Sequence, residues 1–329
     1  MVGMDAGSRN SPISTMLVDE SFAAQDDLFV ERVRMVASPK YLAGLADRWK
    51  KDPRPWARQQ IFNYLELPLD RPGHHPVVKR LFKQAEAARD HELLAAFLTA
   101  FDRLVRRQRR MRYRYDWQTR QSWQEEELFM PRNQLLASKK DPVFQRVPEN
   151  RRLFSYRTRG YLRRRACRYF RRLGFQRPAE YCPAVAAAFG LYRDDDVASG
   201  ENILDNWSLI HLAFRKSPVL QFKRTSVGVA DGRALGELAA APLFLELWQK
   251  PEAAPVLLKL VTQAQSRLVR VWTIQLLKRE HATALQSITA KQLLALLDHP
   301  SDDVQQFGAG LLETLAGVDA WPIATWLQL

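Results

Sequence analysis

An all-α fold of repeated, paired helices follows from three features of the 329-residue sequence. Apolar residues recur at helical spacing through most of the chain, as in Leu94, Phe97, Leu98, Phe101, Leu104 and Val105. Prolines, glycines and short polar stretches cut it into segments of about one helix each. A helix-opening pattern also returns 35 residues on, with Ser266-Arg267-Leu268-Val269-Arg270-Val271-Trp272 answered by Ser301-Asp302-Asp303-Val304-Gln305-Gln306-Phe307. Hydrophobic residues make up 46% of the chain, enough for a buried core and too many for wholesale disorder.

Taken in order, residues 1–27 are rich in small and polar residues and are expected to form a flexible N-terminal arm. Asp5, Asp19, Glu20, Asp26 and Asp27, with no apolar run among them, argue against a signal peptide. Residues 28–110 are expected to form N-terminal helical repeats. Leu28, Val30, Val33 and Val36, then Tyr41, Leu42, Leu45 and Trp49, carry the first apolar faces. Pro53 and Pro55 break them, and Trp56, Ile61 and Leu65 follow. The Pro- and Gly-containing stretch 68–76 ends that helix. Val77, Val78, Leu81 and Phe82 begin the next, and the run from His91 is a core-facing helix.

The helical period fails over 111–156, a basic insertion expected to be irregular that holds Trp117, Trp123, Phe129 and Phe144. Residues 157–329 are expected to form C-terminal repeats, with helices over 157–173, 179–192, 202–214, 254–262, 268–279, 291–297 and 303–315. An insertion near 217–243 interrupts them, and its segments 219–224 and 226–229, followed by Asp231-Gly232, predict one small β-hairpin. The last ten residues carry Ile323, Trp326, Leu327 and Leu329 on a helical face with no polar cap, so a further chain or a partner is expected at that end.

Asp52-Pro53-Arg54-Pro55-Trp56-Ala57-Arg58 echoes the two matched openings. Paired helices, a polar turn bearing Asp, then Val-x-x-Phe/Trp and an apolar face resemble HEAT-type repeats. The resemblance covers residues 253–317, extends more loosely over 40–105, and reaches 157–215 by rhythm. It implies an α-solenoid and identifies a fold rather than a function. The segment 157–173 with its C-terminal continuation is also similar to the helical region of bacterial MolR-like proteins.

The chain has 50 Lys and Arg against 36 Asp and Glu, a formal net charge of +14. Between Arg103 and Arg172 there are 22 basic and six acidic residues, a net of +16, so the rest of the chain is slightly negative. A basic block inside a near-neutral chain attracts polyanions. It contains two arginine clusters.

The first is Arg103, Arg106, Arg107, Arg109, Arg110, Arg112 and Arg114, interleaved with Tyr113 and Tyr115. Extended backbone would put Arg110, Arg112 and Arg114 on one side and Met111, Tyr113 and Tyr115 on the other. The second lies on the helix over 157–173. Leu162, Ala166, Tyr169, Phe170 and Leu173 share its buried face; Arg157, Arg164, Arg168 and Arg171 line the opposite side with Tyr161 among them, flanked by Arg165 and Arg172. Arg164–Arg168 and Arg168–Arg172 repel at i,i+4, each by a few tenths of a kcal/mol. No acid occurs between Arg151 and Pro178 to relieve them.

Guanidinium forks suit phosphates, and tyrosines suit the stacking of unpaired bases. Three readings of these clusters stand side by side: phosphate contacts to a nucleic acid, a surface for an acidic protein partner, and internal neutralisation by Glu125, Glu126, Glu127 or Asp194, Asp195 and Asp196. No nucleic-acid module signature is present, so base-specific recognition has no support.

Catalytic patterns are absent or isolated. There is neither a Gly-x-Gly-x-x-Gly nor a Gly-x-x-x-x-Gly-Lys loop. His74 and His75 are adjacent, and adjacent side chains do not easily share a metal. His211 sits among Leu209, Ile210 and Leu212 and reads as a satisfied, partly buried histidine. The two cysteines, Cys167 and Cys182, exclude a disulfide framework and a multi-cysteine zinc site, and read as packing residues. Asp194, Asp195 and Asp196 read as a turn or a helix cap. Trp207, Trp248, Trp272, Trp321 and Trp326 read as packing between helices.

HEAT-like alkylpurine DNA glycosylases place a carboxylate among aromatics, and Asp205 beside Trp207, or Asp116 beside Trp117, resembles that placement. No apolar run is long enough for a membrane span. The expectation is a cytoplasmic, non-enzymatic scaffold without cofactor or metal. It presents arginines to nucleic acid without sequence selectivity; an adaptor for an acidic protein is the alternative, and the glycosylase a more distant one.

Overall fold

The computed structural model describes residues 12–129 and 153–315, and helices account for most of them. The chain divides into two compact units, Met1–Arg163 and Arg164–Leu329.

The first unit holds α1 (Pro12–Ala24), α2 (Phe29–Met35), α3 (Pro39–Lys51), α4 (Pro55–Glu66), α5 (His75–Ala88) and α6 (His91–Arg103). Pro39 and Pro55 open α3 and α4, where the missing N–H costs nothing and the fixed φ favours the first turn. Asp90 caps α6 by accepting the Leu93 N–H at 3.1 Å. The same carboxylate takes Lys50 Nζ at 2.7 Å and Arg58 Nη1 at 2.6 Å, so the last turn of α3, the first turn of α4 and the start of α6 meet on one group. Burial pushes the Asp90 pKa up, but hydrogen bonds from Arg58, Lys50 and the Leu93 N–H outweigh it and hold it well below the carboxylate range.

Helix pair packs on helix pair: α3 lies against α5, α4 against α6, and α3 and α5 against their own successors. Leu42, Leu45 and Trp49 of α3, Val78, Leu81 and Phe82 of α5, and Leu94, Phe97 and Phe101 of α6 are fully buried or nearly so. Trp49 Nε1 donates to the Ala57 carbonyl at 2.8 Å, satisfying the indole inside this core. In the turn before α5, Gly73 has φ +78°, and a Cβ there would lie 2.2 Å from the Ala37 carbonyl oxygen, so no other residue fits.

Two expectations for this unit are corrected. The arm over 1–27 is helical from Pro12, because α1 packs on α2 and buries Val18 and Ser21. Asp19 of α1 also accepts the Tyr41 hydroxyl at 2.8 Å and pairs with Arg48 at 2.6 Å. The insertion over 111–156 is not irregular at its start: β1 (Gln108–Tyr115) and β2 (Ser122–Phe129) form an antiparallel hairpin. Alternation in Arg-Met-Arg-Tyr-Arg-Tyr supplies the strand, and Asp116 supplies the turn. Its carboxylate accepts the Gln118 N–H and the Thr119 hydroxyl, both at 2.8 Å.

Helix α7 (Tyr156–Gln176) begins in the first unit and ends in the second. The second unit continues with α8 (Pro178–Gly190), α9 (Gly200–Asp205), α10 (Trp207–Ala213), β3 (Leu220–Phe222), β4 (Val227–Val229) and α11 (Leu245–Trp248). It closes with α12 (Ala253–Gln263), α13 (Arg267–Glu280), α14 (Ala282–Leu285), α15 (Ala290–Leu297) and α16 (Asp302–Thr314). Helix α12 packs on α8 and α13, and α16 packs on α15 and α13. Trp272 of α13 lies edge-on to Phe189 and Trp248, at 5.1 and 5.3 Å, and its Nε1 donates to the Ala213 carbonyl at 2.9 Å.

The matched openings of α13 and α16 meet, with Arg267 Nε donating to Asp303 Oδ2 at 2.8 Å. Strands β3 and β4 pair as the small hairpin expected within 217–243. The helix expected over 202–214 is broken in two at Asn206, whose side-chain amide donates to the Asp196 and Asn202 carbonyls. Trp321, Trp326 and the apolar face of the last ten residues lie outside the described residues.

Candidate functional site

The two arginine clusters occupy unlike settings. On the hairpin, the register sets Arg110 opposite Glu127, Arg112 opposite Glu125 and Arg114 opposite Trp123. Arg114 Nε donates diagonally to Glu125 Oε2 at 3.0 Å. The alternation separates the faces as the sequence implies, with Met111, Tyr113 and Tyr115 in the other row of β1, all exposed. Trp117 at the tip is 84% exposed and meets Tyr115 edge-on at 4.8 Å. Arg109 takes its place in the register opposite Leu128.

Arg106 and Arg107 are half-buried just before the strand. Arg106 lines a cleft of about 440 Å³ with Leu65, Leu67, Leu104, Arg103 and Arg159. Arg159 is fixed there by the Asp70 carboxylate and by the Phe154 carbonyl, while the Phe154 N–H donates to Asp70 at 2.9 Å. Burial raises the Asp70 pKa against the lowering effects of the Phe154 N–H and Arg159.

Further along α7, beyond Arg159, the exposed arginines are set differently. Leu162, Ala166, Cys167, Phe170 and Leu173 are buried, which leaves Arg157, Tyr161, Arg168, Arg171 and Arg172 exposed and Arg164 and Arg165 half-buried. At about 100° per residue, Arg157, Tyr161, Arg164, Arg168, Arg171 and Arg172 fall within one stripe along the helix. Among the described residues, Arg157, Arg164, Arg168, Arg171 and Arg172 form no ion pair with any carboxylate. Arg163 belongs to the other side and is buried.

The sequence reading missed Phe175, which stands eighteen residues and five full turns after Arg157, in the middle of the stripe, and is 71% exposed. Its ring stands at 90° to that of Phe244 with centroids 4.8 Å apart, and the Phe244 ring is in turn nearly perpendicular to Tyr181 at 5.1 Å. Extending the helix beyond Leu173 would have revealed it by angle alone.

The isolated polar residues have structural settings. The Tyr64 hydroxyl donates to His74 Nδ1 at 2.8 Å, and His74 Nε2 donates to the Val36 carbonyl at 3.0 Å. Burial lowers the His74 pKa to about 4, so the ring is neutral at pH 7. His211 Nδ1 donates to the Trp207 carbonyl at 2.8 Å, with its ring stacked on Trp207. Asp194 accepts the Arg267 N–H at 2.6 Å and so caps α13, and Asp196 accepts the Arg193 N–H at 3.0 Å.

Burial pushes the Cys182 thiol up to about 12, and both cysteines are free and buried. Asp116 is the turn residue of the first hairpin, and Asp205, beside Trp207, is buried in the second unit. Among the described residues no group of three or more His, Cys, Asp or Glu could hold a metal ion, and no helix is long and apolar enough to cross a membrane. Comparison with protein families, curated proteins and solved structures finds no match to this chain.

Proposed function

We propose that this chain is a non-enzymatic, HEAT-like helical-repeat scaffold that binds nucleic acid without sequence selectivity through the arginine stripe of α7. The repeat reading is supported by pair-on-pair packing of α3–α4 with α5–α6, and by the meeting of the matched openings of α13 and α16 through Arg267 and Asp303. The functional reading rests on one observation. The α7 arginines, exposed at Arg157, Arg168, Arg171 and Arg172 and half-exposed at Arg164, have no ion-pair partner among the described residues.

A helix that keeps like charges at i,i+4 gives up local stability, and binding of phosphates returns it. Contacts to phosphate carry no sequence information, so affinity and salt dependence are the signature rather than base preference. Arg165 flanks the stripe and Tyr161 lies within it. Arg106 and Arg107, just before the hairpin, and Arg109, Arg110, Arg112 and Arg114, on its first strand, are proposed as phosphate contacts in a lesser role, because Glu125 competes for Arg114. Tyr113 and Tyr115 would offer stacking faces there.

The test is fluorescence anisotropy with a labelled oligonucleotide at low and high salt. The reading requires binding that weakens steeply with salt and disappears when Arg164, Arg168 and Arg171 are all changed to Glu, with helicity by circular dichroism intact. Binding that survives the triple change removes α7 as the site. A chain that binds no oligonucleotide, yet retains a stable acidic protein partner after nuclease treatment, belongs to the adaptor class.

A further inference from the structure

The proposed site on α7 does not end in charge. Arg164, Arg168, Arg171 and Arg172 are followed on the same line by Phe175, about 16 Å beyond Arg164 along the helix. Phe175 has the wrong character for a solvated stripe and the wrong place for the core: it is 71% exposed, while the buried face of α7 runs through Phe170 and Leu173.

It is also held. The Phe244 ring stands at 90° to it with centroids 4.8 Å apart. That ring is itself buried, and it lies so close to Gly174 that a Cβ there would come within 2.4 Å of it. Phe175 is therefore held by Phe244, and most of its surface faces solvent. An anchored aromatic at the end of a row of guanidinium groups is the arrangement that grips unpaired nucleotides. Phosphates run along the cations, and a base stacks on the ring without regard to its identity.

A duplex keeps its bases stacked inside and offers such a ring nothing but backbone. We infer that the α7 site selects single-stranded over double-stranded nucleic acid, with Phe175 as the base-stacking platform. This rests on the proposed nucleic-acid reading and adds the class of ligand.

The experiment uses the full chain with two labelled probes at one salt concentration, a single-stranded oligouridine and a perfectly paired RNA duplex. Wild type, Phe175→Ala and Phe175→Tyr are compared. Phe175→Ala should bind the single strand about 5- to 150-fold more weakly, the range for loss of one base–aromatic stack. Phe175→Tyr should restore it, and the duplex affinity should stay within twofold throughout. Equal weakening of both probes by Phe175→Ala, or no change for the single strand, overturns the inference and leaves the arginine site standing. A wild-type chain that binds neither probe overturns the nucleic-acid reading and this inference with it.

Discussion

The β1–β2 hairpin and helix α7 carry arginines at similar density, yet the two regions treat the charge in opposite ways. On the hairpin, acidic residues answer the arginines across the strands, with Glu125 opposite Arg112 and bonded to Arg114. On α7, the answering acids are missing from the sequence for a whole helix length, and no described carboxylate comes in from elsewhere to Arg164, Arg168, Arg171 or Arg172. Pairing of that kind stabilises a hairpin whose two faces are both open to solvent. Unpaired like charge at i,i+4 destabilises a helix. Composition alone makes the two clusters look alike; only the placement of the acids separates an arginine paired within its own fold from one with no described carboxylate beside it.

Binding should separate the two regions most sharply. Reversal of Arg164, Arg168 and Arg171 removes three charge-assisted contacts, each worth roughly 1.5 kcal/mol, and should weaken oligonucleotide binding about a thousandfold. Reversal of Arg110, Arg112 and Arg114 should cost far less affinity. If the hairpin triple change costs more in anisotropy titrations than the helix triple change, the assignment is inverted.

The second prediction contrasts charge that titrates with charge that does not. His74 is neutral in the folded state with its pKa lowered to about 4, against an ordinary value near 6.5 in the unfolded chain. Above pH 6.5 both states are neutral there. As pH falls from about 6.5 toward 4 the unfolded state takes up the proton first, so stability declines through that window by about 3 kcal/mol. His75, also lowered to about 4, acts in the same direction. Guanidinium groups do not titrate in this range, so oligonucleotide affinity measured on folded protein should not follow the decline. Urea unfolding at pH 7 and pH 5 reads the first effect, and its absence from the wild type, or its undiminished size in His74→Gln, would refute the assignment.

The same contrast shows what sequence alone could reach. Helices were legible wherever one apolar face sufficed, as from His91 through Phe101, because 3.6-residue spacing survives in any context. The stripe on α7 was legible for that reason too. The first hairpin was not recognised, although the alternation in its first strand was. The strand 122–129 alternates weakly, with Glu125, Glu126 and Glu127 in a row, and the turn depends on hydrogen bonds from the Asp116 side chain. The break at Asn206 was hidden as well, because it depends on the Asp196 carbonyl, ten residues away in the chain. Phe175 was lost to a boundary error of three residues at a helix end, where sequence patterns are weakest.

The third prediction is smaller and concerns α7 alone. Arg168→Glu replaces two repulsive i,i+4 pairs, to Arg164 and Arg172, with two attractive ones. At a few tenths of a kcal/mol for each repulsion removed and each attraction gained, the variant should be more stable than wild type by about 1 kcal/mol. The same variant should bind oligonucleotide more weakly. A more stable protein that binds less well is the mark of a residue kept for its ligand, and a variant that loses stability would show that Arg168 serves the fold.

The smallest effect belongs to the hairpin, and its sign is reversed. Arg112→Glu sets a like charge directly opposite Glu125 and should cost about 0.5 kcal/mol, within the range for a cross-strand pair. The double change Arg112→Glu with Glu125→Lys restores opposite charges across the strands, although it also removes the Glu125 partner of Arg114. Recovery should still be nearly complete, since the Arg114–Glu125 pair is exposed and exposed pairs contribute little. Amide hydrogen exchange of residues 110–114 reports the hairpin locally, where a global unfolding curve would bury so small a change. Faster exchange in the single variant and slower exchange in the double would place Arg112 in the hairpin's own stability. Identical exchange in wild type and both variants would make the hairpin arginines as unspoken for as those of α7, and the division between the two regions would fall.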